Sequence, residues 1–202
     1  FQVSTNAGAI FTMLLAPLFG LPVPFTALQI LLVNIVMDGP PAMALGLDPA
    51  HHDVMQVPPR SPQERVLSWS RLGTIGFYGA IMAAGTLLML DYGLQNHDTR
   101  YATTLAFTTF ILFQICNAFN VRAENRTVLT HNLFSNWKLW VALATVIAML
   151  ALVVNWPPAQ RIFHMSSLSG GDWLLAVAVS LAVLVIEEAR KFLLAMWRRW
   201  RA

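Results

Sequence analysis

The sequence predicts an all-α, polytopic membrane protein, a bundle of six transmembrane helices, on three observations. Hydrophobic residues make up 56% of the chain and charged residues only 11%, against about 45–50% and about 25% in typical soluble domains. A soluble domain of this length could not hide that much apolar surface. Each long apolar run approaches the roughly 20 residues a helix needs to cross a bilayer; the runs are too long for strands and lack the alternation of a barrel. The basic residues fall mainly on alternate connections, the asymmetry expected of a chain threaded through a membrane.

The first span covers about residues 1–19 and opens directly into FQVSTNAGAIF. With no initiator methionine, basic n-region or cleavage site it is not a signal peptide; the expectation is a helix that has been cut, in the C-terminal part of a longer polypeptide. Pro22 and Pro24 make a tight turn to the second span, 26–46. The remaining spans are expected at about 71–91, 102–120, 138–154 and 173–192. Residues 48–68, with prolines at 49, 58, 59 and 62 and mixed charges, read as an extended loop facing the cytoplasm, a docking surface or a linker. Residues 120–137 form the second cytoplasmic loop, and 92–101 and 155–172 lie outside. Arg60, Arg65, Arg71, Arg122, Arg126, Lys138, Arg190, Lys191, Arg198, Arg199 and Arg201 then share one side, with only Arg100 and Arg161 opposite, which puts both ends in the cytoplasm. The tail MWRRWRA suits an anionic headgroup surface, so the basic balance calls for the lipid bilayer as partner and for no nucleic acid. Short outer loops and this tail favour a bacterial plasma membrane. Cys116 stands alone and forms no internal disulfide.

The residues that carry chemistry lie in LLVNIVMDGPPAMALG. Asn34 and Asp38 are four apart, which on an α-helix places them on one face. A carboxylate in hydrocarbon costs at least about 2.5 kcal/mol, so Asp38 is expected to face a cavity or a partner. Pro40 and Pro41 have no N–H for the carbonyls of Val36 and Met37, and Gly39, preceding a proline, is biased away from helical geometry. The helix is therefore expected to unwind near Asp38–Pro41, leaving carbonyls that persist at membrane depth only against a cavity, other protein groups or a cation. Amide, carboxylate and carbonyl oxygens suit Ca²⁺, Mn²⁺ or Mg²⁺ and not soft metals. In the first span Ser4, Thr5 and Asn6 either add ligands or make interhelical hydrogen bonds, Asn6 being the candidate ligand; Gln114 and Asn117 read as packing. Glu187 and Glu188 precede Arg190 and Lys191 at helical spacing and read as interfacial anchors. His51, His52 and Asp53 read as a polar loop tip and not a zinc site. There is no GxxxxGK[ST], HExxH, CxxC or nucleophile elbow.

The runs STNAGA, LVNIVMDGPPAMALGLDP and VMQVPPRSPQE, with QICNAFNVRAENRT and EEARKF further on, resemble the fifth and sixth transmembrane helices, the following loop, the eighth helix and the last helix of P-type cation ATPases of the calcium-pump group. MDGPPA is most similar to the secretory-pathway, Golgi-type branch and its bacterial relatives. The resemblance implies ATP-driven export of Ca²⁺, or of Mn²⁺, from the cytoplasm, with Mg²⁺, ATP and the phosphorylation site in cytoplasmic domains absent from this chain, which holds no catalytic residue. Asn34 and Asp38 match sixth-helix ligands and Asn6 a fifth-helix ligand of the two-calcium type. Ala9, Met37 and Gln114 stand where that type has glutamate, threonine and glutamate, which implies one ion per cycle and leaves a fourth-helix contribution to upstream residues. The Pro-rich loop matches the one that contacts the pump's own phosphorylation domain, making Arg60 a candidate docking residue. From the residues alone, a secondary cation transporter using the same carboxylate and broken helix is the alternative.

Overall fold

The computed structural model describes residues 1–49, 68–123 and 133–201. Among them there are helices and no strands. Helix α1, Gln2–Leu18, is capped by Phe19 and followed by Gly20, whose φ of 72° is a left-handed value that glycine adopts without a Cβ penalty. The proline-containing turn delivers the chain to Thr26, where a reciprocal cap forms: the Gln29 N–H donates to Thr26 Oγ1 at 3.2 Å and the Thr26 N–H to Gln29 Oε1 at 2.9 Å. This cap starts α2, Ala27–Leu32.

The second hydrophobic run does not uncoil as expected. It widens into a π-helical turn, Val33–Met37, in which the Asp38 N–H reaches back to the Val33 carbonyl at 2.8 Å, then bends and restarts as α3, Gly39–Gly46. Asp38 keeps right-handed helical dihedrals, φ −90° and ψ −36°. The prolines explain this outcome: in the first turn of a new helix their missing N–H groups would have no partner anyway, and their fixed φ suits the start. The break expected from them is thus an interruption of the α hydrogen-bond ladder, without a stretch of coil.

Ser68 and Asp98 cap α4, Trp69–Asn96, and α5, Thr99–Arg122. After a 3₁₀ turn at Leu133–Ser135, Asn136 caps α6, Trp137–Asn155. A short helix α7, Pro157–Phe163, occupies the connection expected to be loop; Pro157 and Pro158 open it, and His164 in the left-handed region closes it. Helix α8 runs Gly170–Arg201. Among the described residues five segments are long and apolar enough to cross a bilayer: Ala27–Gly46 (counting α2, the π turn and α3 together), Arg71–Asn96, Thr99–Arg122, Trp137–Asn155 and Gly170–Leu193. Helix α1, at 17 residues, stands at the lower limit of about 17.

Helix α5 is the axis of the bundle, with Leu105, Phe107, Phe110, Ile111 and Phe113 essentially without exposure. Helix α4 lies against α5 and α1, α8 against α5, and α3 against α6. Glycines set the closest approaches. A Cβ at Gly79 of α4 would sit 3.0 Å from the Ala7 Cβ and 3.1 Å from the Gly8 nitrogen of α1. Leu14, Leu31, Ile35, Ile147, Leu181 and Val185 project outward, the surface of a bundle solvated by hydrocarbon.

Candidate functional site

Asp38, at the junction of the π turn and α3, is buried, with 2% of its surface accessible. Its Oδ2 accepts a hydrogen bond of 3.2 Å from Thr5 Oγ1, whose hydroxyl is also 3.0 Å from the Gln2 carbonyl. Its Oδ1 has no hydrogen-bond partner among the described residues. A hydroxyl rotor has one proton to give, so Thr5 divides it between two acceptors, and the carboxylate is left with less than one full donor. Buried carboxylates ordinarily have several donors or a counter-charge.

Next to Thr5, Ser4 Oγ donates to the Phe1 carbonyl at 2.7 Å and accepts from Asn117 Nδ2 of α5 at 2.9 Å. Ser4 and Thr5 thereby link α1 to α5 and to the turn at Asp38 on consecutive residues. Asn117 Oδ1 and both amide atoms of Gln114 are also buried without a partner among the described residues. Asn117 makes the interhelical bond expected of packing, whereas Gln114 does not.

Asn34 and Asp38 stand in different surroundings. Asn34 is exposed and, with the exposed Asn6, lines a groove of about 560 Å³ together with Ala9, Met13, Val33 and Phe110. Asp38 is not part of that lining. Val36 is half-buried and Met37 buried, and the carbonyls of both still receive nothing from Pro40 and Pro41. The structure therefore places Asn6 and Asn34 on the same groove, and Thr5 beside Asp38. Sequence reading weighed Thr5 within STN but favoured its neighbour Asn6, since spacing does not reveal which of three consecutive polar residues faces the turn.

Two further polar clusters stand at one end of the bundle. Glu187 is wholly buried and bound in bidentate fashion by Arg190, at 2.7 and 2.8 Å, with the Lys191 ammonium 3.7 Å away. These are the pairings expected from sequence, in a buried setting. The other joins Arg122, Asp48 and Asn136, residues not singled out together by sequence because 74 positions separate the ion pair. Among the described residues no three His, Cys, Asp or Glu converge as a metal cluster. Arg60, His51, His52 and Asp53 lie outside the described residues.

Apolar membrane-length helices packed around buried polar groups define a multi-pass integral membrane protein. The chain belongs to the cation transporting ATPase family, whose C-terminal region matches residues 22–193. It is 37% identical over 182 residues, 89% of this chain, to a calcium-transporting ATPase of Bacillus subtilis (strain 168). It is 33% identical over 203 residues, 99% of the chain, to calcium-transporting ATPase type 2C member 2 of Mus musculus, and 35% identical over 192 residues, 95%, to type 2C member 1 of Homo sapiens. These alignments cover 20%, 21% and 21% of the relatives, so the chain spans about a fifth of their length.

Proposed function

We propose that this chain is the C-terminal transmembrane part of an ATP-driven pump exporting Ca²⁺ from the cytoplasm, with Mn²⁺ as a second acceptable cargo, one ion per cycle. The observation that carries the reading is Asp38, a buried carboxylate with one oxygen unpartnered and the other sharing a single hydroxyl. A hard divalent cation supplies the charge that the described residues do not, and the oxygen chemistry fits it.

In this reading Asp38 is the principal ligand, and the carbonyls of Val36 and Met37 turn toward the same ion. Asn34 and Asn6 approach it from the groove side, where helices from the preceding part of the polypeptide complete the coordination. Helix α1 acts as the first of six spans. Arg71, Arg122, Lys138, Arg190 and Lys191 at one end of the bundle, against Arg100 and Arg161 at the other, support a cytoplasmic location for the first end. Arg60, in the loop of residues 48–68, docks the chain's own phosphorylation domain, where ATP and Mg²⁺ act. The plasma membrane of a bacterium is the proposed host, in line with the similarity to the Bacillus subtilis protein. A gradient-driven transporter is disfavoured by the family to which the chain belongs.

Replacement Asp38→Asn in the full-length polypeptide is the direct test. Ca²⁺-dependent phosphoenzyme formation from ATP is expected to vanish while the protein still inserts and folds; retention of wild-type Ca²⁺ dependence would overturn the assignment. Transport into sealed vesicles with Ca²⁺ and Mn²⁺ in competition ranks the cargoes.

A further inference from the structure

The α3 segment that follows Asp38 ends in a polar clamp. Arg122, the last residue of α5, places its Nε 3.1 Å from both carboxylate oxygens of Asp48, with its guanidinium side chain only 1% exposed. The same guanidinium donates to Ser135 Oγ in the 3₁₀ turn before α6. Asn136 completes the arrangement: its Nδ2 is 2.9 Å from Asp48 Oδ1 and 2.8 Å from the Ala44 carbonyl in the last turn of α3, while its Oδ1 accepts the Leu139 N–H as the N-cap of α6. Beneath the clamp Ala44, Ala118, Leu139, Ala142 and Leu143 form a common apolar cluster. Three helix ends are thus joined by one buried fork and one amide.

The other half of the broken helix is held differently. Helix α2 is tied by Gln29 Nε2 to the Phe163 carbonyl at 2.9 Å, and the preceding Phe25 sits against Phe107 and Phe110. No charged pair among the described residues fixes α2. Between the two halves lies the π turn, a departure from α geometry that is frequent at functional sites. Asp38 is the first residue on the clamped side.

We infer that Arg122 is a positioning residue for transport: by locking α3 to α5 and α6 it makes Asp38 and those helices one body, hinged to α2 at the π turn. The inference rests on the pump reading above. A cation drawing on Asp38 then displaces the α3–α5–α6 unit, and that displacement appears at the end of the bundle where Asp48, Arg122 and Asn136 meet. Without the Arg122–Asp48 pair α3 keeps only the Asn136–Ala44 hydrogen bond and the apolar cluster as ties to its neighbours, and ion occupancy is passed to the helix ends less effectively. Coupling between two sites requires such a shared element with two arrangements.

The test uses the full-length polypeptide in membranes and compares wild type with the double variant Arg122→Met/Asp48→Leu and with Arg122→Lys. Removing one partner of a buried pair endangers folding, whereas replacing both by apolar groups is commonly neutral or stabilising, so the double variant separates coupling from fold. Equilibrium binding of radioactive Ca²⁺ and the rate of Ca²⁺-triggered phosphoenzyme formation from ATP are measured side by side. In the double variant the Ca²⁺ midpoint stays within about twofold of wild type while the rate falls roughly tenfold, the order of an ordinary intersite coupling. Arg122→Lys fails to hold the wild-type rate, because an ammonium cannot reproduce the fork to Asp48 and Ser135. A double variant with the wild-type rate overturns the inference, as does one in which binding and rate fall in step, since the clamp is then only structural. A wild-type protein that neither binds Ca²⁺ nor forms the phosphoenzyme overturns the pump reading itself.

Discussion

Asp38 and Glu187 are both carboxylates buried among membrane-length helices, and they are treated in opposite ways. Glu187 has a bidentate guanidinium at 2.7 and 2.8 Å and a second cation at 3.7 Å. Asp38 has one shared hydroxyl at 3.2 Å, and its second oxygen has no partner among the described residues. Burial alone therefore does not mark a binding site. What separates an anchor from a receptor is whether the surrounding chain has already neutralised the charge, and here the fold completes one carboxylate and withholds completion from the other.

The largest expected effect breaks the comparison at its receptor end. Asp38→Asn abolishes Ca²⁺-dependent phosphorylation in the full-length protein, yet leaves thermal stability in detergent unchanged or raised, since it removes a buried charge that nothing balances. Glu187→Gln reverses the pattern: Ca²⁺ affinity is retained, but stability drops by about 1–3 kcal/mol, read as a lower denaturation midpoint. That figure lies below the usual cost of splitting a buried pair because Arg190 remains a third exposed and regains water. Asn34→Ala sharpens the assignment of the groove: a lost neutral ligand weakens Ca²⁺ binding roughly tenfold, about 1.4 kcal/mol, as measured by equilibrium binding. Smallest of all, Thr5→Val removes a hydroxyl that was only partly committed to Asp38 and shifts the Ca²⁺ midpoint by no more than about fivefold, the scale of one ordinary hydrogen bond.

Much of this was legible in the sequence, for identifiable reasons. Apolar runs of membrane length declare themselves by composition, and a carboxylate followed by two prolines is conspicuous within one. The spacing of Glu187 with Arg190 and Lys191 is a helical rule and held. What spacing did not encode is surroundings. Asn34 and Asp38, paired by their spacing, differ in setting: one is exposed on the groove and the other buried against Thr5. The uncoiling expected at Pro40 and Pro41 became a restart, because proline is disruptive inside a helix and well suited to its beginning. Helix α7 was missed although Pro157 and Pro158 carry the same signal. Arg122 with Asp48, and Thr5 with Asp38, are tertiary pairings that no local pattern encodes.

The close approach at Gly79 has a mechanical consequence. With backbone nearly touching backbone there, α1 cannot slide or roll without α4 following, so the hydroxyl of Thr5 is mounted on a paired, stiff wall. Asp38 rides instead on the segmented helix facing that wall. Their relation is that of a latch to its strike plate: the plate stays fixed, and whatever motion this part of the molecule makes is registered as the carboxylate leaving it.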